Sequence, residues 1–168
     1  IVIALKKRLY QRFGAIPDLI KLISIDADII NEKDDNFSFE YQGKIIEKEI
    51  RIEEPEQYYF GRVNMKDQLE DGIYKGFVPK NIKSIASKLS SGKGAEGKRI
   101  IGKMLLASNY EEVDNFIIGK IEDIISKTST EYEIEDNETI RVFIAGSFAG
   151  GAGSSMFMDI SSMLKSSK

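Results

Sequence analysis

Ile140 to Ile160 joins an apolar run, a cluster of small residues and a second apolar run without interruption. The first part, Ile140 to Ala145, is β-branched and aromatic, which predicts a buried strand. Gly146 to Ser155 then reads as a loop, and the chain resumes as a helix carrying Met156, Phe157, Ile160 and Met163. Strand, glycine-rich turn and helix in this order are how α/β proteins present backbone N–H groups to a phosphate. Gly150, Gly151 and Gly153 leave room for close approach of a ligand to the backbone. Ser154 and Ser155 add hydroxyl donors beside the free N–H groups of a helix start. A tight strand-to-helix connection with no ligand uses the same residue types, so the remainder of the chain has to decide.

Composition removes several chemistries. The 168 residues contain no cysteine and no histidine, which excludes disulfides, thiolate chemistry, zinc sites of the usual kind and Ser-His or Cys-His nucleophiles. A formal net charge of −3 argues against a general nucleic-acid binder. No apolar run approaches the ~18 residues of a membrane span, and no signal peptide is visible, so a cytoplasmic protein is the expectation. The length suits one domain with a real core.

Taken in order, Ile1 to Phe13 has apolar residues at Val2, Leu5, Leu9 and Phe13 with Lys6, Lys7 and Arg8 between them, which is helical spacing, and Gly14 closes the helix. No capping residue precedes it, so the chain is expected to extend upstream. Pro17-Asp18 starts a turn. Leu19 to Ile25 reads as an interior strand of a parallel sheet. It ends in Asp26-Ala27-Asp28, where carboxylates would face the crevice in which open α/β sheets bind ligands, near a ribose hydroxyl or Mg²⁺. Asp28 capping a following turn is the alternative.

Asn31 to Gln57 carries nine acidic and four basic residues and alternates in places, which predicts two strands joined around Gln42-Gly43. Its charges read as a solvated face, and Tyr58, Tyr59 and Phe60 as packing residues. From Lys75 to Lys103 the sign inverts, with eight basic residues and the single acidic Glu96. There Asn81 to Ser90 and Ile100 to Ala107 read as helices, the second with Ile101, Met104 and Leu105 inward. Between them, Gly92 to Arg99 is a basic glycine loop suited to an anion, or else an exposed linker. It is not a P-loop, because Arg99 stands where the Mg²⁺-binding Ser or Thr belongs. Gly92, Gly94 and Gly97 match a dinucleotide fingerprint but follow a helix, not a strand. The nucleophile-elbow pattern fails at Ser147, Ser154 and Ser155. Asn109 to Lys127 predicts a helix with Asn109 as cap, Glu112 in the capping-box position, and Val113, Ile117, Ile121 and Ile124 on one face. After the last helix the chain stops at Lys168 without a further strand, so truncation is expected at this end too.

Four segments together resemble the tubulin/FtsZ superfamily, and most closely its divergent bacterial tubulin-like branch. Gly150-Gly-Ala-Gly-Ser-Ser155 is similar to the Gly-Gly-Thr-Gly-Ser/Thr-Gly signature between a strand and a helix. Gly94-Ala-Glu-Gly-Lys-Arg99 resembles the loop that meets the terminal phosphate, and Ile25-Asp-Ala-Asp28 the turn after the second strand. The helix from Ile1 to Phe13 resembles the one after the first glycine loop. The order and spacing agree across about 1–30, 90–107 and 139–165; 31–80 has no counterpart.

The resemblance implies a Rossmann-like, three-layer, mostly parallel sheet with helices on both faces, incomplete at both ends. Residues 1–168 would be part of one GTP-binding domain, with a hairpin-like insertion over about 31–60. It implies GTP or GDP as ligand, Mg²⁺ through Asp26 or Asp28, and head-to-tail self-assembly into a filament. Ser147, Phe148, Ala149, Gly150, Gly151, Ala152, Gly153, Ser154 and Ser155 would wrap the phosphates, with Gly94, Ala95, Glu96, Gly97, Lys98 and Arg99 at the γ-phosphate. Acidic residues for hydrolysis are expected outside this chain, so the piece alone would hydrolyse GTP poorly. Ala152 replaces the signature's Thr and Ser155 its last Gly, which would weaken binding or change the nucleotide. A tubulin-like scaffold without nucleotide, or a dinucleotide-binding enzyme domain, are the alternatives.

Overall fold

The computed structural model describes residues 1–27, 30–60, 99–131 and 139–166. Among them are four α-helices and four strands in a mixed α/β arrangement, with the strands paired into two two-stranded sheets. The chain divides into two compact units. The first comprises Ile1–Ile25, Ile30–Tyr58 and Phe116–Val142; the second comprises Asp26–Ile29, Tyr59–Asn115 and Phe143–Lys168.

In the first unit, helix α1 (Val2–Phe13) ends at Gly14, whose φ of 75° is the left-handed C-cap. A Cβ there would also lie 2.5 Å from the Tyr41 ring. Strand β1 (Ser24–Asp26) pairs with β4 (Gln57–Tyr59), while β2 (Lys33–Tyr41) and β3 (Lys44–Arg51) form an antiparallel hairpin. The hairpin turns at Gln42 (φ 51°) and Gly43 (φ 73°), the two left-handed residues that match the twist of tightly connected strands. Period-two alternation buries Phe37, Phe39 and Ile50 on one face, and Ile3 and Tyr10 of α1 pack against them.

Of the apolar residues at helical spacing in α1, Leu5 and Phe13 are exposed, whereas Lys6 is buried at 4% exposure. A charge is held there because its ammonium finds a carbonyl and a carboxylate as partners. Lys6 Nζ donates to the Arg51 carbonyl at 2.6 Å and pairs with the Glu56 carboxylate. Glu56 closes the 3-10 turn Glu54–Glu56 in a capping box with Glu53. Lys7 pairs with Asp34, and the hydrogen bond from Lys7 holds the Asp34 carboxyl below the usual carboxylate range. Elsewhere in this unit Lys21 bonds Asp123 and Lys127 pairs with Asp18, tying the turn at Pro17–Ile20 to a helix.

That helix is α3 (Tyr110–Glu131), which follows α2 (Arg99–Ser108) with only Asn109 between. The expected capping box at Asn109 is not formed. Asn109 instead donates its side-chain amide back to the Leu105 carbonyl at 2.8 Å, sealing the end of α2. Val113 and Ile117 are buried as the helical spacing predicts. In the second unit, α2 buries Ile101, Met104, Leu105 and Leu106 and packs along α4 (Gly151–Ser166).

Two expectations are corrected. Leu19 to Ile25 is not an interior strand of a parallel sheet; among the described residues, pairing in this stretch is confined to Ser24–Asp26. Ile140 to Ala145 has strand composition but joins no sheet among the described residues, and Phe143 is 90% exposed. A strand persists only where neighbours supply ladder partners and cover. Among the described residues none pairs with this segment, and a three-layer parallel sheet is not seen.

Candidate functional site

The small-residue cluster divides differently from the sequence reading. Helix α4 begins at Gly151, not at Met156, so Gly151 to Ser155 is its first turn and only Gly146 to Gly150 is loop. Glycines are poor helix formers, and packing on α2 overrides that preference. The two serines fold their hydroxyls inward. Ser154 Oγ donates to the Gly150 carbonyl, and Ser155 Oγ donates to the Gly151 carbonyl at 2.6 Å. Ser155 is 4% exposed and faces α2. Ala152 is buried as well.

The loop lies back on the helix it precedes. A Cβ on Gly153 would stand 3.0 Å from both the backbone nitrogen and oxygen of Ser147, and a Cβ on Gly146 would lie 3.6 Å from the Gly153 backbone. Ser147 Oγ accepts the Ala149 N–H at 3.2 Å, which spends one amide inside the turn. The amides of Gly151, Ala152 and Gly153 have no acceptor within the helix, as at any helix start. Phe148 caps the turn, its ring 6.1 Å from that of Phe157.

Helix α2 brings the second element. Arg99, its first residue, extends a guanidinium N–H to the Phe148 carbonyl at 3.5 Å. Gly102 faces Gly151, Ala152 and Ser155, and Lys103 reaches Asp159 at 3.3 Å. These contacts ascend both helices in the same sense. The helices are therefore parallel here, with both positive dipole ends and Arg99 at one end.

Of the other residues expected at a phosphate, Asp28, Gly94, Ala95, Glu96, Gly97 and Lys98 lie outside the described residues. Asp26 ends β1; its carboxylate accepts the Ala27 N–H at 2.6 Å, and its carbonyl accepts the Phe60 N–H at 3.3 Å. Among the described residues no group of three or more acidic side chains gathers where a metal ion would sit. Gly102 escaped the sequence reading. The available signal was a lone glycine at an interior position of an otherwise apolar helix, which usually has a packing cause.

A glycine-rich turn opening a helix, with a parallel helix starting at an arginine beside it, places the molecule among α/β proteins built around such a turn. The chain belongs to the tubulin-like family: the family model described as "Tubulin like" matches residues 1–167. No curated protein and no solved structure matches it. No described helix is long and apolar enough to cross a membrane.

Proposed function

We propose that this protein binds GTP or GDP by its phosphate tail at the paired starts of α2 and α4, and that binding controls head-to-tail assembly of copies into a cytoplasmic filament. The observation that carries the reading is the parallel pair of helix N-termini with Arg99 between them and the turn at Phe148. Free amides and a dipole end favour an anion, and a guanidinium supplies charge and fork geometry for phosphate oxygens. Family membership supports the choice of a guanine nucleotide and of self-assembly. A nucleotide-bound Mg²⁺ takes most of its ligands from phosphate and water, so one or two carboxylates suffice, and Asp26 and Asp28 are the candidates. Hydrolysis belongs to the full-length protein, with the acidic groups that position water supplied from outside these residues.

The inward serines and buried Ala152 favour a second reading, a scaffold of the same family that has given up nucleotide. Binding decides between them. The protein is expected to take up GTP and GDP in preference to NAD and to pellet in a nucleotide-dependent manner. Arg99→Ala should weaken GTP about 10- to 100-fold, the worth of a charge-assisted phosphate contact, with a smaller effect on GDP. Absence of GTP and GDP binding, with pelleting unaffected by nucleotide, would establish the scaffold reading instead.

A further inference from the structure

We infer that Gly102 is a positioning residue for the nucleotide site, acting through Ser155 to set how the start of α2 lies against the start of α4. The inference rests on the nucleotide reading above. Gly102 lies one turn into α2, on the side facing α4. A Cβ there would collide with Ser155 Oγ, come within 2.7 Å of the Gly151 carbonyl oxygen and lie 3.2 Å from the Ala152 Cα. Two of these three neighbours are backbone, so the helices themselves would have to separate. Ser155 is locked in place from its own side, with its hydroxyl bonded to the Gly151 and Ala152 carbonyls at 2.6 and 3.0 Å. The side chain that departs from the signature's final glycine therefore points away from the α4 amides. It enters space that Gly102 leaves open, so the two positions fit as a pair. Arg99 is one turn before Gly102 on the same helix, and Gly151 is one turn before Ser155 on the other. The spacing of this seam thus fixes where the guanidinium stands relative to the amides. A shifted α2 would misplace the group expected at the terminal phosphate and leave the α4 amides intact.

The consequence is selective. In the full-length protein, Gly102→Ala should lower the preference for GTP over GDP by about fivefold or more while GDP affinity changes less than about twofold, because one charge-assisted contact is misplaced and the others are kept. A residue that merely stabilised the fold would lower both affinities together. Ser155→Gly should partly rescue: G102A introduced into the S155G background should lower the preference by a smaller factor than in wild type, the Gly151 carbonyl contact remaining. Circular dichroism checks that each variant is folded. Should G102A not fold, S155T, which adds a methyl group to the seam from the other helix, replaces it and should lower the preference likewise. A folded variant with the GTP preference intact, or an equal loss in both backgrounds, overturns the inference alone. A wild-type protein that binds neither nucleotide overturns the nucleotide reading, and this inference with it.

Discussion

Gly153→Val is expected to abolish useful nucleotide binding, with a loss of about a hundredfold in GTP affinity, while leaving α4 helical. The reason is steric. Gly153 sits in the first turn of α4 with the Ser147 backbone against it, and a Cβ would already stand 3.0 Å from two of that residue's backbone atoms. Valine adds two further methyl groups to a space closed by backbone, which cannot rotate out of the way as a side chain can. Overpacking of this kind costs about 1–3 kcal/mol, and the strain is relieved by lifting the 146–150 loop off the helix. Phe148, whose carbonyl receives the Arg99 guanidinium, would move with that loop. Isothermal titration with GTP reads the loss, and circular dichroism reads the retained helix. Wild-type affinity in the valine variant would show that the turn need not lie against α4 for binding.

The largest expected stability effect lies in the other unit. Lys6→Ala removes the ammonium that links α1 to the Arg51 carbonyl and the Glu56 carboxylate. The Lys6 side chain is 5% exposed and that of Glu56 is 23% exposed, so the carboxylate left behind is only partly able to find water. Breaking a buried pair by deleting one member costs about 3–5 kcal/mol, and the partial exposure of Glu56 brings the expected loss to about 2–3 kcal/mol. Lys7→Ala serves as the contrast. Its pair with Asp34 is about one-third exposed on each side and screened by solvent, so its removal should cost far less. Urea unfolding midpoints of the two variants should separate clearly, and equal losses would contradict the special place of Lys6.

What the residues announce and what they conceal differ for physical reasons. Gly14 and Gly43 mark left-handed positions, and such positions select their residue locally, so the end of α1 and the hairpin turn were legible. The apolar periodicity of α2 and α3 was legible for the same reason, because Ile101, Met104, Val113 and Ile117 meet a core at helical spacing. The inward face of α1 was not. Its burial depends on Lys6 finding partners 45 and 50 residues away, which no local pattern encodes. The start of α4 was hidden because glycine and serine favour loops on their own, and packing along α2 overrides that preference. Ile140 to Ala145 has the composition of a strand, but composition does not create a ladder. The family was legible from motif order alone, and the match over residues 1–167 agrees with it. Within the candidate site, the basic character of Arg99 was visible in the sequence. That it reaches Phe148 is a fact of the α2–α4 packing.

In the proposed site, backbone amides at the start of α4, backed by Arg99, hold a nucleotide's phosphates. Backbone ¹⁵N–¹H spectra during a GTP titration test it most directly. Gly151, Ala152 and Gly153 should shift saturably and to the largest extent, Gly102 and its neighbours less, and the hairpin strands Lys33–Tyr41 and Lys44–Arg51 should stay still. Saturable GTP binding that leaves those three amides unmoved would contradict the account.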